Sequence, residues 1–197
     1  DPENQLNGIA FQGVGSGTTV EYVQVHNNLD DGIEFFGGNV DAKYVVLTGN
    51  ADDSLDWTDG WQGRIQYLYI EQTDSADNGI EADNREGDES ATPVANPSIA
   101  NMTIIGNSGE RALRIRRGTG LTLSNSFIDG SERCIRIDGS SRDILGASID
   151  PTITFQGVSL ACATTHDRDI DGAVEAYLNT AVNVSQNGDT VEPVSLA

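Results

Sequence analysis

The chain has 197 residues, enough for one domain with its own core, and carries a formal net charge of −20 at pH 7. That balance excludes a nucleic-acid footprint, because phosphate binding needs clustered cations, and Lys43 is the only lysine. No apolar run approaches the roughly 18 residues of a membrane span, no signal-peptide pattern opens the chain, and an acidic surface suits cations or solubility in a salty exterior.

The predicted elements recur in chain order. Gly8-Ile9-Ala10-Phe11 comes first, then Gly32-Ile33-Glu34-Phe35-Phe36 behind Asp30-Asp31, and Ser54-Leu55-Asp56-Trp57 behind Asp52-Asp53. Gly79-Ile80-Glu81-Ala82, Ala112-Leu113-Arg114-Ile115 and Cys134-Ile135-Arg136-Ile137 follow. The anchors Ile9, Ile33, Leu55, Ile80, Leu113 and Ile135 step by 24, 22, 25, 33 and 22 residues. Such a recurrence is the signature of a repeat array. Each repeat has a second β-branched or aromatic segment, at residues 20–25, 42–47, 65–70, 100–105, 123–128 and 155–160. Short runs of this composition between turn residues read as strands.

Two short strands per turn of about 22 residues describe an all-β chain wound as a right-handed parallel β-helix of about six coils. An antiparallel sandwich is the rival; it accounts for short strands but not for equivalent positions returning at a fixed step. Alternation turns Ile9/Phe11, Ile33/Phe35, Leu55/Trp57, Ile80/Ala82, Leu113/Ile115 and Ile135/Ile137 inward in the first strands. In the second strands it turns Val23/Val25, Val45/Leu47, Leu68/Ile70 and Thr103/Ile105 inward. Trp61, in a glycine-rich turn, reads as exposed. Phe36 and Tyr69 fall on outward positions, where aromatic rings either contact sugars or lie under a loop or partner.

Residues 1–164 form the coils, and residues 165–197 a C-terminal coil or cap segment with an acidic loop. Within it, residues 172–178 make a last strand or a short helix over the open end. An uncovered final rung invites end-to-end self-association. Residues 84–97 and 140–150 are insertions, functional or simply mobile. Cys134 and Cys162, the only cysteines, fit a disulfide between adjacent rungs outside the cytoplasm, or a reduced pair.

Coiling converts repeats into columns about 4.8 Å apart per rung. One column is Asp30, Asp52, Asp77, Glu110, Glu132; beside it run Asp31, Asp53, Asn78, Arg111, Arg133. The outer strand face carries Glu34, Asp56, Glu81, Arg114, Arg136, then Phe36, Thr58, Asp83, Arg116, Asp138. Stacked carboxylates repel unless a cation, a proton or an arginine intervenes. Calcium suits such a site, because it takes six to eight oxygen ligands in irregular geometry. Asp30, Asp31, Asp52 and Asp53 are the densest candidate ligands; alternatively they shape Asx-turns at the corner. Asp167, Asp169 and Asp171, followed by Gly172, have the spacing of a degenerate calcium loop. Leu178 stands where the twelfth position of a full EF-hand loop needs glutamate. His26 and His166 are isolated, which argues against zinc.

Leu29-Asp30-Asp31-Gly32-Ile33 and Ala51-Asp52-Asp53-Ser54-Leu55 resemble the two Asp-bearing rungs of polygalacturonase-type glycosidases of the pectin-lyase-like superfamily, and Arg114-Ile115-Arg116 resembles that family's Arg-Ile-Lys strand. The resemblance implies Asp31, Asp52 and Asp53 as acid and base, with Arg114 and Arg116 holding an acidic sugar. Uronate lyase chemistry is a variant of the same reading. Asp77-Asn78-Gly79 stands where that family has Gly-His-Gly.

Over residues 8 to about 107 the chain is similar to a group of secreted or lipid-anchored bacterial β-helix proteins. The shared phrases include Glu21-Tyr22-Val23-Gln24-Val25, Asp31-Gly32-Ile33-Glu34-Phe35-Phe36-Gly37-Gly38 and Asp53-Ser54-Leu55-Asp56-Trp57. This implies an extracellular or outer-membrane-associated location, and further coils before Asp1. Two functional expectations follow: a surface protein with calcium-binding ladders that contacts polysaccharide or cell-surface matrix, or a polysaccharide-active enzyme.

Overall fold

Each coil contributes one short strand and one long one. In chain order these are β1 (Ile9–Gln12) and β2 (Val20–His26), then β3 (Ile33–Phe36) and β4 (Ala42–Thr48). β5 (Leu55–Thr58) and β6 (Arg64–Glu71) follow, then β7 (Ile80–Ala82) and β8 (Ser98–Ile105). The later coils hold β9 (Arg111–Ile115) with β10 (Leu121–Asp129), β11 (Arg133–Ile137) with β12 (Ile153–Ala161), and finally β13 (Thr164–His166) and helix α1 (Ala173–Leu178). The computed structural model describes residues 6–106, 110–169, 171–181 and 184–186. Asp1, and residues 187–197 of the expected C-terminal segment, lie outside the described residues.

The short strands form sheet A, in the order β1-β3-β5-β7-β9-β11-β13, and the long strands form sheet B, β2-β4-β6-β8-β10-β12. Every neighbouring pair is parallel, with Ile33 opposite Leu55, Leu55 opposite Ile80 and Leu113 opposite Ile135. The fold is a right-handed parallel β-helix, the hand that parallel crossover connections favour. Among the described residues no helix is long and apolar enough to cross a membrane.

The first-strand anchors face the interior, where Ile33, Phe35, Leu55, Trp57, Ile80, Leu113, Ile115 and Ile135 are buried. The second strands depart from simple alternation. Tyr22, Tyr44, Tyr67, Asn101 and Asn125 have φ between 49° and 62°, and Gly157 has φ 63°. One left-handed residue per long strand adds a residue to the pleat, so inward positions sit three apart across it. Val20, Ala42, Ile65, Ile99, Leu123 and Phe155 lie on one side of this column. Val23, Val45, Leu68 and Met102 lie on the other. In β8 this corrects the expected pair: Met102 and Ile104 are buried, whereas Thr103 and Ile105 lie on the outer side. The adjacent Ile104-Ile105 left alternation with two readings, and the register with Leu68 and Ile70 selects one.

Trp61 is also corrected. It is 0 % exposed, lies 4.1 Å from Phe35 at 9° between ring planes, and donates from Nε1 to the Val40 carbonyl at 3.2 Å. The glycine-rich turn around it folds inward rather than outward.

The array also runs one strand further than expected. β13 pairs with β11 and straddles the expected boundary at residue 164. Residues after it form α1, whose Val174 and Leu178 are buried; the Phe155 backbone N–H donates to the Tyr177 hydroxyl at 2.9 Å. Of the two readings, the helical cap is the one adopted. Cys134 and Cys162 form a disulfide with Cα atoms 5.4 Å apart.

The insertion at residues 84–97 is pinned by buried Asn84, which donates to the Glu89 and Ala91 carbonyls and accepts from the Ala95 N–H. The other insertion carries a 3-10 helix (Gly139–Ile144).

Candidate functional site

The corner before each short strand of sheet A is built by carboxylates. Asp31 Oδ1 accepts the Asp53 backbone N–H at 3.1 Å, and Asp53 Oδ1 accepts the Asn78 backbone N–H at 2.7 Å and its side-chain amide at 2.9 Å. Each aspartate therefore satisfies a donor of the next rung. Glycine precedes the strand for want of room: a Cβ on Gly32 would sit 2.5 Å from the Ser54 carbonyl and from Asn50 Nδ2.

On the strand face, Glu34 lies opposite Asp56, Asp56 opposite Glu81, and Glu81 opposite Arg114. The acidic columns merge. Asp30, Asp31 and Asp52 offer oxygen atoms within 4.8 Å of one another, and so do Asp31, Glu34 and Asp56. The same holds for Asp52, Asp53 and Asp77, and for Asp53, Asp56 and Glu81. Asp30, Asp31, Asp52 and Asp53, expected as one quartet, thus fall into overlapping triads. Glu34, Asp56, Asp77 and Glu81 complete the triads, and the sequence reading had not placed them among the ligands. Their signal was present, since all four occupy the acidic columns.

Crowding holds protons on this face. Burial, and after it Glu34 and Asp52, pushes the Asp31 carboxyl up to about 8. Burial raises Asp53 and Asp56 well above the carboxylate range, helped by Glu81 for Asp53 and by Asp31 for Asp56. Glu34 and Asp52 are raised too, chiefly by burial. At the centre, Asp56 Oδ1 is shut off from solvent and has no hydrogen-bond partner. A buried acceptor left unpaired is costly, and ionising it among like charges is costlier.

Beyond Glu81 the face changes sign. Arg114 Nη1 donates to Glu81 at 3.0 Å, and Arg116 bonds Glu81 and reaches Asp83 at 2.7 Å. Arg117 also pairs with Asp83, and Arg136 lies 2.5 Å from Asp138. Arg114 and Arg116, expected to hold an acidic sugar, are thus engaged by the protein's own carboxylates.

The expected calcium loop does not converge either. Asp167 accepts from Arg111 at 2.8 Å, and Asp169 accepts from Arg142 at 3.0 Å and from the Glu175 N–H at 2.9 Å. Asp171 also bonds Arg142. Arginines, Arg142 among them from the 3-10 helix insertion, pair with all three aspartates, and Asp169 also serves the start of α1.

The oxygen-only triads of rungs two to four match the preference of hard cations such as calcium. Neither a curated protein nor a solved structure matches the chain. A family model described as a pectate-lyase-like β-helix domain matches residues 1–193, and the chain belongs to that family.

Proposed function

We propose that this β-helix is a secreted or surface-held bacterial protein whose acidic face on sheet A binds calcium, in a structural or matrix-binding role toward polysaccharide. The observation that carries the reading is Asp56 Oδ1, buried without a partner where the triads Asp31-Glu34-Asp56 and Asp53-Asp56-Glu81 meet. A divalent cation there satisfies the orphaned oxygen and neutralises carboxylates that otherwise hold protons. The Cys134–Cys162 disulfide supports an oxidising, extracellular setting.

One observation favours a polysaccharide-active enzyme instead. A carboxyl that keeps its proton to about 8, as Asp31 does, is suited to donate it as a general acid. Asp52 and Asp53 are then the partner carboxylates.

Calorimetric titration of the metal-free protein near neutral pH separates the two. Calcium is expected to bind with a dissociation constant on the order of 10⁻⁴ M, as in extracellular modules, and Asp56→Asn to weaken it at least about tenfold, one lost charge–charge contact being worth 1.4 kcal/mol or more. No heat of binding, together with turnover of a uronate or neutral polysaccharide that Asp53→Asn abolishes without loss of stability, overturns the cation reading and establishes the enzyme.

A further inference from the structure

The opposite face of the coil carries a feature that the acidic ladder does not explain. Four of the five tyrosines, Tyr22, Tyr44, Tyr67 and Tyr69, lie on the long strands of sheet B. Three of them form the left-handed column, with φ 57°, 58° and 62°. That conformation disfavours a bulky side chain and suits asparagine or glycine. The column's own later members are Asn101, Asn125 and Gly157, the residues conformation alone would select. Tyrosine in three successive rungs therefore has to be explained by its ring.

The rings stack along the coil axis, Tyr22 on Tyr44 at 4.6 Å and Tyr44 on Tyr67 at 5.1 Å, with interplanar angles of 15° and 4°. Tyr22 is 76 % exposed and Tyr67 43 %. The ammonium of Lys43 lies 5.0 Å from the Tyr44 ring centre and 5.5 Å from that of Tyr67. Among the described residues no carboxylate pairs with it, in a chain holding 31 acidic residues. A cleft runs along each side of the tyrosine ridge. One, of about 510 Å³, is edged by Gln24, Tyr69, Asn101 and Thr103; the other, of about 520 Å³, by Glu21, Asp41, Lys43, Arg64, Gln66 and Ser98. Both draw on β2, β4, β6 and β8, so they run across the strands, over about 14 Å at the strand spacing.

We infer that this face binds an uncharged glycan chain laid along the coil axis, with the tyrosine ladder as its platform and Lys43 donating to sugar hydroxyls. The face selects this occupant by its chemistry. The strands β4, β6 and β8 are hydrogen-bonded on both sides, so a peptide cannot join them by strand addition. In the cleft beside Tyr69, side-chain amides, hydroxyls and phenol edges are what remain, and these recognise sugar hydroxyls; in the other, Asp41 and Arg64 cancel each other in an ion pair. The broad aliphatic surface that an amphipathic helix needs is missing, Val46 and the small Ala100 being the outward aliphatic side chains of the two clefts. Lys43 lies opposite Glu21 on the neighbouring strand, so a ligand of either charge meets one like charge, and a polyanion also meets the molecule's net charge of −20. The binding is separate from the cation face and does not depend on it.

The test is titration of the whole chain, in EDTA, with cellohexaose, xylohexaose and mannohexaose. At least one binds with a submillimolar dissociation constant. Tyr44→Asn weakens it by about tenfold, since it removes the ring in the middle of the ladder together with its two stacking contacts. Asn101 already holds the equivalent backbone at φ 58°, so the fold survives the change and the melting temperature stays within a few degrees. Lys43→Gln gives a second loss through a side chain with no role in the backbone column. No binding of any of the three at millimolar concentration, preference for hexagalacturonate over all of them, or affinity unmoved by Tyr44→Asn and Lys43→Gln overturns the inference.

Discussion

In EDTA the melting temperature falls by about 10 °C between about pH 5 and about pH 8, and millimolar calcium restores most of the loss at the higher pH while changing little at the lower. The direction follows from the raised carboxyls. Asp31 keeps its proton to about 8 in the fold, against 3.8 as its ordinary value. Below the ordinary value both folded and unfolded chains hold the proton, and the contribution is fully present. Between the two values the unfolded chain is ionised while the fold is not, so each pH unit removes stability. The full span for Asp31 alone is on the order of 5 kcal/mol. Asp53 and Asp56 are raised from the same cause and add to it. Asp41, Asp167 and Asp169 are lowered by arginine or backbone hydrogen bonds, and their contributions fade only in acid, below this window. Calcium competes with protons for the same oxygens, so its effect grows as they leave. At one hundred times its dissociation constant a ligand adds about 2.7 kcal/mol, roughly 5–10 °C for a chain of this size. A melting temperature that rises with pH in EDTA contradicts this account; thermal scans with and without calcium across the range check it.

Trp61→Ala lowers stability by about 3–5 kcal/mol, the usual cost of truncating a buried tryptophan. The indole fills the interior between Phe35 and Trp57, with ring centres 4.1 and 5.8 Å away, and its N–H is satisfied by the Val40 carbonyl. Removal leaves a cavity that the neighbouring coils cannot close, because β3 and β5 are fixed by hydrogen bonds to their own neighbours. It also strips the Val40 carbonyl of its indole donor. Chemical denaturation checks the value, and a loss below about 1 kcal/mol would mean that the ring is not packed there.

Trp61 also marks where the sequence stops being informative. Strand positions were legible because stacking makes them recur, and Ile33, Leu55 and Ile80 appear one above another as the spacing requires. Turns do not recur. The turn holding Trp61 has no equivalent in the next coil, and its inward fold depends on Phe35, an element away in sequence. Thr103 and Ile105 were misassigned for a related reason. A left-handed residue is invisible in composition when it is tyrosine, and only the column of Asn101, Asn125 and Gly157 betrays it.

The acidic site was half legible. The columns through Asp31, Asp53, Glu34 and Asp56 follow from the repeat alone. Which carboxylates converge does not, because it depends on how a corner residue and a strand residue of neighbouring rungs lean toward each other. The C-terminal aspartates show the converse. Asp167, Asp169 and Asp171 have a ligand-like spacing, yet Arg111 and Arg142 reach them from earlier coils. Local spacing carries no information about a partner more than 25 residues away.

The cation reading meets its most direct test in a crystal grown with calcium, using anomalous scattering near the long-wavelength limit. The account predicts a peak within coordination distance of Asp56, shared with Glu34 and Asp31 on one side or Asp53 and Glu81 on the other. A well-ordered face with all five carboxylates in place and no peak among them would contradict it.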